Sequence, residues 1–158
     1  MLLPLFEALE ASAIGEGIRN SLWMFPIIEA FHLVGLAVIG GAILVVDFRL
    51  LGLGLRNHSV SKLAHDMQPW VIGSIVVMVL SGLPLFLSEA IKCYYSFAFW
   101  TKMTALLLAV AFTFTVRRSV TSAPDDYYSP LRAKAVGLTS IALWATVGWG
   151  GRWIGFSG

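Results

Sequence analysis

Four stretches of this chain carry no Asp, Glu, Lys or Arg: residues 30–46, 70–88, 103–116 and 135–151. With their apolar flanks they predict helices over about residues 22–48, 68–89, 97–117 and 134–155, each long enough to cross a bilayer. The third extension takes in Lys102, one turn below the surface, whose aliphatic stem lets its ammonium snorkel outward. The expected fold is all-α: a four-helix transmembrane bundle of two antiparallel hairpins, forming one integral membrane domain over residues 1–158. Ahead of it, Leu2, Leu5, Phe6 and Leu9 share one helical face and Glu7 and Glu10 the other. That pattern predicts a short amphipathic helix in the membrane interface, ended by Gly15 and Gly17. With no basic leading segment and two glutamates in its apolar run, it does not read as a cleaved signal peptide.

The second span holds Pro84, which predicts a kink, and Pro69 and Trp70 mark its start after a short helix around residues 59–67. Residues 123–130 read as a turn. On the fourth span, Ala142, Thr146 and Gly150 make a small-residue face suited to close helix approach. Trp23, Trp100, Trp149 and Trp153 suit one interfacial aromatic belt.

Composition agrees with the pattern. The 158 residues are 58% hydrophobic and 13% charged, half the charge of an average soluble domain, and mean hydropathy is +0.80. A net charge of +2 gives no basis for nucleic-acid binding. A single cysteine, Cys93, excludes an internal disulfide and a multi-cysteine metal site. Arg49, Arg56, Lys62, Arg117, Arg118, Arg132 and Lys134, seven of the eleven basic residues, fall in the loops between spans one and two and between spans three and four. The positive-inside rule then puts those loops in the cytoplasm and both termini outside.

Glu29, His32, Leu36, Gly40, Ile43 and Asp47 form one stripe of the first span, with Glu29 and Asp47 about 27 Å apart. With both termini outside, Glu29, His32, Glu89, Lys102 and Arg152 come to a similar depth. Ionisable groups there are costly unless paired or wet, so Glu29 or His32 is expected to pair with Arg152, and Glu89 with Lys102. This layer pins helix register in the plain reading. In the functional one it binds a small ligand or handles protons, with His32 the leading candidate because it titrates inside an uncharged run. On the cytoplasmic side, Asp47 and Arg49 would anchor the span, and His65 is a weak metal candidate beside Asp66.

Three sharper chemistries can be weighed. Glu29-x-x-His32 resembles half of a di-metal carboxylate site, but no second such motif exists. Haem b could use His32 with Met24, Met78 or Met103 as the second ligand, while His58 and His65 lie a membrane thickness away. No hydrolase or phosphate-loop template is present.

The combination Phe25-Pro26-x-x-Glu29-x-x-His32, Gly35, Val46-Asp47-x-Arg49-Leu50-Leu51-Gly52, Ser81-Gly82, Phe99-x-x-Lys102 and Gly151-Arg152-Trp153-Ile154 resembles small bacterial four-helix membrane proteins classed as a domain of unknown function. The resemblance covers nearly the whole chain. It implies a bacterial inner-membrane location and marks Glu29, His32, Asp47, Arg49, Lys102 and Arg152 as recurrent polar residues, without implying a reaction. More remotely, the layout is similar to copper-resistance membrane domains and cytochrome b561-like bundles, a likeness of fold alone.

The leading expectation is a non-enzymatic membrane protein, partnered by the bilayer and by copies of itself or other membrane subunits. The alternative is a haem b electron carrier with His32 as ligand. A third reading is solute or proton transport through the Glu29, His32 and Arg152 layer.

Overall fold

The computed structural model of the chain describes residues 2–55, 57–125 and 127–156, with backbone alone at 155–156. Arg56 and Asp126, one in each basic loop, lie outside the described residues. The described residues are helical, with no strand among them: α1 (Leu3–Glu10), α2 (Ala13–Arg19), α3 (Met24–Leu51), α4 (Val60–Ser88), α5 (Ala90–Tyr95), α6 (Phe97–Phe112), a π-helical turn (Thr113–Arg117), α7 (Arg118–Thr121) and α8 (Pro130–Phe156).

Local chemistry sets the ends. Gly52, at φ +78°, closes α3 in the left-handed conformation, with Leu53 N–H donating to the Phe48 carbonyl. Ser59 caps α4 by accepting from Lys62 N–H, and Ser96 caps α6 by accepting from Phe99 N–H. Ser129 accepts from Arg132 N–H at the start of α8, where Pro130 occupies the first turn.

Among the described residues three helical runs are long and apolar enough to cross a membrane: α3, α4 and Phe97–Thr121. The fourth long helix, α8, mixes Gly, Ser, Thr and Trp with its aliphatic residues. α3 packs against α4 and α8, and α8 packs against α6. α4 meets α6 where Phe86 stacks on Phe99, ring centroids 5.6 Å apart, and at the other end a cleft opens between α3, α4 and the π turn. Among the described residues the buried apolar side chains include two clusters, one around Ile39, Ile43, Ala109, Trp144 and Val147, the other around Val46, Leu50, Val60 and Val136. Small residues let the helices close. A Cβ at Gly137 would meet the Asp47 carbonyl at 3.2 Å, so α8 approaches α3 there. Gly35 makes room for Met78 on α4, and Gly82 makes room for the His32 ring.

The exterior is apolar and much of the interior is not. Phe31, Leu33, Val34, Val79, Leu80 and Leu107 are exposed. Asp47, Ser74, Ser81, Thr113, Arg117 and Ser140 are buried. In water this arrangement would leave an apolar surface far larger than a monomer normally exposes.

Two expectations change. The stretch before Pro69 is no separate helix: α4 runs unbroken from Val60 to Ser88 with Pro69 and Pro84 inside it, each proline removing only one backbone bond. Gly15 and Gly17 do not end the first helix. They lie within α2, and α1 stops at Glu10.

The expected amphipathic face of α1 is also inverted in part. Glu10 turns inward, accepting from Ile91 N–H at 2.6 Å and pairing with Arg19 at 2.8 Å, while Leu2 and Leu5 are exposed. Phe6 sits in an aromatic cluster with Phe86, Tyr94 and Trp100. Thus α1 and α2 form a docked cap over the ends of α4 and α5.

Beneath that cap Cys93 is buried. Burial first, then the Glu89 carboxylate, push its thiol up to about 11. Only the thiolate is nucleophilic, and at pH 8 it is about a thousandth of the population in the folded protein. Iodoacetamide alkylation is expected to rise about tenfold per pH unit up to about pH 11, whereas an unfolded thiol titrates near 8.5. Equal rates for folded and unfolded protein at pH 8 would contradict this environment.

Candidate functional site

The two ends of the helical core hold different polar groups. At the end bearing the two basic loops, Arg117 Nε donates to Asp47 Oδ1 at 2.8 Å. Arg117 Nη2 donates to the Ile43 carbonyl at 3.3 Å. Asp47 is 0% exposed and Arg117 6%, so this pair is held inside the core. Ser140 on α8 lies beside the Asp47 carboxylate but outside hydrogen-bond geometry. Asp47 Oδ2 and Ser140 Oγ are therefore both buried with no hydrogen-bond partner among the described residues.

The π-helical turn explains how Arg117 reaches this place. Ala105, Ala109, Thr113, Arg117 and Thr121 are all buried, at spacings of four. In an α-helix each step of four overshoots a full turn by about 40°. The wider turn over Thr113–Arg117 rotates the chain less per residue and takes that drift back, so Arg117 stays on the inner face while Arg118 is exposed. Trp144 Nε1 donates to Thr113 Oγ1 at 3.1 Å and ties the start of the π turn to α8.

A cavity of about 250 Å³ fills the cleft between α3, α4 and the π turn. Its polar wall includes Ser61, His65, Gln68, Thr113, Arg117 and Arg118. Ala42, Val46, Val71 and Phe114 form an apolar wall, and no acidic side chain among the described residues lines the cavity. Beside it, Arg49 fastens both loops. Its Nε donates to the His58 carbonyl at 2.8 Å, and its Nη2 pairs with Asp125 at 3.2 Å. Asp125 also accepts from Val60 N–H. His65 is exposed, 3.8 Å from Asp66. Among the described residues no group of three His, Cys, Asp or Glu side chains is placed to hold a metal ion.

At the opposite end, His32 Nδ1 lies 2.9 Å from Ser81 Oγ. The Ser81 hydroxyl has one hydrogen, which it donates to the Val77 carbonyl at 2.6 Å. Ser81 must therefore accept from His32, which makes Nδ1 the protonated nitrogen of the imidazole. Lys102 lies within electrostatic range of that ring, its stem packed along Gly150 and Gly151.

Of the rest of the expected layer, Glu29 is exposed. Glu89 pairs with Lys92 at 3.6 Å rather than with Lys102, because it begins the short α5 and Lys92 is its i+3 neighbour. Of the sulfur candidates, Met78 packs on Gly35 and Met103 is 36% exposed. The loop-end cavity is not lined by His32.

Arg117, Ser140 and Thr113 are the site residues that sequence reasoning overlooked. One signal pointed to the first: Asp47 is an acid closing a long apolar run, and such a group, once buried, requires a cation at the same depth. Arg117 stands at the corresponding end of a helix running in the same direction.

The model of a family described as a family of unknown function (DUF6644) matches residues 6–157. No curated protein matches the chain, and no solved structure does.

Proposed function

The chain belongs to the DUF6644 family, whose function is unknown, and we propose that it is an integral protein of the bacterial inner membrane. In this reading it is one domain of four spans with both termini outside, acting as a small oligomer or as an accessory subunit of a membrane complex rather than as an enzyme. The observation that carries the reading is the reversal of polarity: large apolar side chains face outward along α3, α4 and α6 while Asp47, Arg117 and the buried hydroxyls face inward. A bilayer is the solvent that favours this arrangement.

Further features support it. α8 has 27 residues, about 40 Å of helix, and its packing on both α3 and α6 supports reading it as a fourth span. Trp23, Trp100, Trp149 and Trp153 are all exposed, at the matching ends of α3, α6 and α8, as an interfacial belt requires. The basic residues Arg49, Lys62, Arg118, Arg132 and Lys134 gather at the opposite ends, which favours a cytoplasmic position for both loops. An oligomer is supported by the shallow groove between α6 and α8, where Thr104, Ala105 and Thr146 are small enough to admit a neighbouring helix.

The test is impermeant-maleimide labelling of intact cells producing single-cysteine variants in a Cys93→Ser background. Leu2→Cys is expected to label in intact cells, and Asn57→Cys only after the membrane is permeabilised. The reverse pattern would overturn the orientation, and labelling of both in intact cells would overturn the odd number of crossings between them. A strictly monomeric, partner-free particle in mild detergent would count against the assembly role.

A further inference from the structure

We propose that the open cleft between α4 and the π-helical end of α6 is a binding site for a phosphate group, with Arg117 and Arg118 as its cationic donors. The cavity there has room for about eight waters at liquid density, enough for a phosphate and part of whatever carries it. Among the described residues it is lined by two guanidinium groups and no carboxylate, a lining that favours an anion.

The donors suit a tetrahedral anion better than a planar one. Arg117 is held in place by its bonds from Nε to Asp47 and from Nη2 to the Ile43 carbonyl, and neither bond uses Nη1. A guanidinium fixed on one edge and facing a cavity on the other is already oriented for an oxyanion. Thr113 accepts from Trp144, which leaves its own hydroxyl hydrogen to donate. Gln68 and Ser61 add an amide and a hydroxyl from α4. These donors line the cleft from both α4 and the π turn, and the oxygens of a tetrahedral anion point in more directions to meet them than the two of a planar carboxylate. The second wall, Ala42, Val46, Val71 and Phe114, suits an apolar substituent on the phosphate.

Two sources carry this chemistry: a phosphate or phosphate monoester dissolved in the cytoplasm, and the phosphodiester of an anionic lipid in the inner leaflet. The lipid source rests on the membrane reading above. Away from the stacked Phe86 and Phe99, the cleft separates α4 from the π turn, and a gap between two spans is a sideways route for a lipid. It lies at the end bearing the basic loops, the depth at which anionic head groups are found.

The experiment uses the full chain in neutral detergent micelles, titrated with inorganic phosphate and, separately, with short-chain phosphatidylglycerol. Chloride at matched ionic strength is the control, and thermal unfolding and ³¹P line width are read. Saturable stabilisation by either probe, absent with chloride, is expected. Arg118→Gln and Gln68→Leu, both at exposed positions outside the core clusters, are each expected to weaken binding about tenfold or more, the size of a lost hydrogen bond to a charged group. Binding of inorganic phosphate would assign a soluble ligand, and binding of phosphatidylglycerol alone a lipid head group. No saturable effect with either probe, or binding unchanged in both variants, overturns the proposal. Neither failure alters the cysteine-labelling pattern, so the topology stands or falls separately.

Discussion

Arg117→Met is expected to destabilise the protein by about 3–5 kcal/mol, because it leaves the Asp47 carboxylate charged, buried and without its cation. Asp47→Leu should cost a similar amount by stranding the guanidinium. The double variant Asp47→Leu/Arg117→Met is expected to recover most of the loss, since removing both charges also removes both desolvation costs. The surroundings sharpen the contrast. Asp47 is 0% exposed, and its Oδ2 has no hydrogen-bond partner among the described residues, so the arginine is its main compensation. Arg117→Lys should rescue only in part, because an ammonium cannot make the bonds to Asp47 Oδ1 and the Ile43 carbonyl from two nitrogens of one rigid plane. Thermal unfolding in detergent, followed by tryptophan fluorescence, reads all four variants. Additive losses in the double variant would show that the two residues do not act as a pair.

Gly15→Ala carries the second large effect. A Cβ at this position would stand 2.5 Å from the Leu87 carbonyl oxygen and 2.6 Å from that of Glu10. Both obstacles are backbone, so no side chain can swing aside, and α2 must lift from the end of α4. Overpacking of this kind costs about 1–3 kcal/mol, against a helix-propensity gain of somewhat under 1 kcal/mol. Lifting α2 also pulls Arg19 from the Ser88 carbonyl and from Glu10. The variant is therefore expected to be cut by trypsin after Arg19 much faster than the parent. Gly17→Ala is the control: nothing among the described residues lies within 4 Å of the added methyl beyond its own helix backbone, so the propensity gain remains. Equal trypsin resistance in both variants would mean that α2 is not seated as described.

The cap shows where a periodicity argument stops. The spacing of Leu2, Leu5, Phe6 and Leu9 marks a helix, and α1 is one. Which side of it is covered depends on what waits at the end of α4 and α5, and there the amide of Ile91 and the guanidinium of Arg19 take Glu10 inward. The same limit held for Glu89: its depth beside Lys102 was readable, but its position as the residue between α4 and α5 gave it to Lys92.

The long uncharged runs, read without any partner, determined the helices of this protein, because an apolar segment of that length has to satisfy its own backbone wherever it is buried. Gly52, Ser59, Ser96 and Pro130 mark their ends by local stereochemistry alone, and the gathering of basic residues into two loops is equally a property of the linear chain. Which polar group meets which was decided by the tertiary structure. Asp47 and Arg117 are seventy residues apart, and only the turn that departs from the α-helical period at Thr113–Arg117 carries the arginine to the inner face. The cleft between α4 and the π turn is likewise invisible in the pattern, since both helices are apolar on nearly every face and nothing in it sets how closely they approach. Hydrophobicity selects elements without direction, whereas ion pairs, close glycine contacts and clefts need the relative placement of helices that only packing supplies.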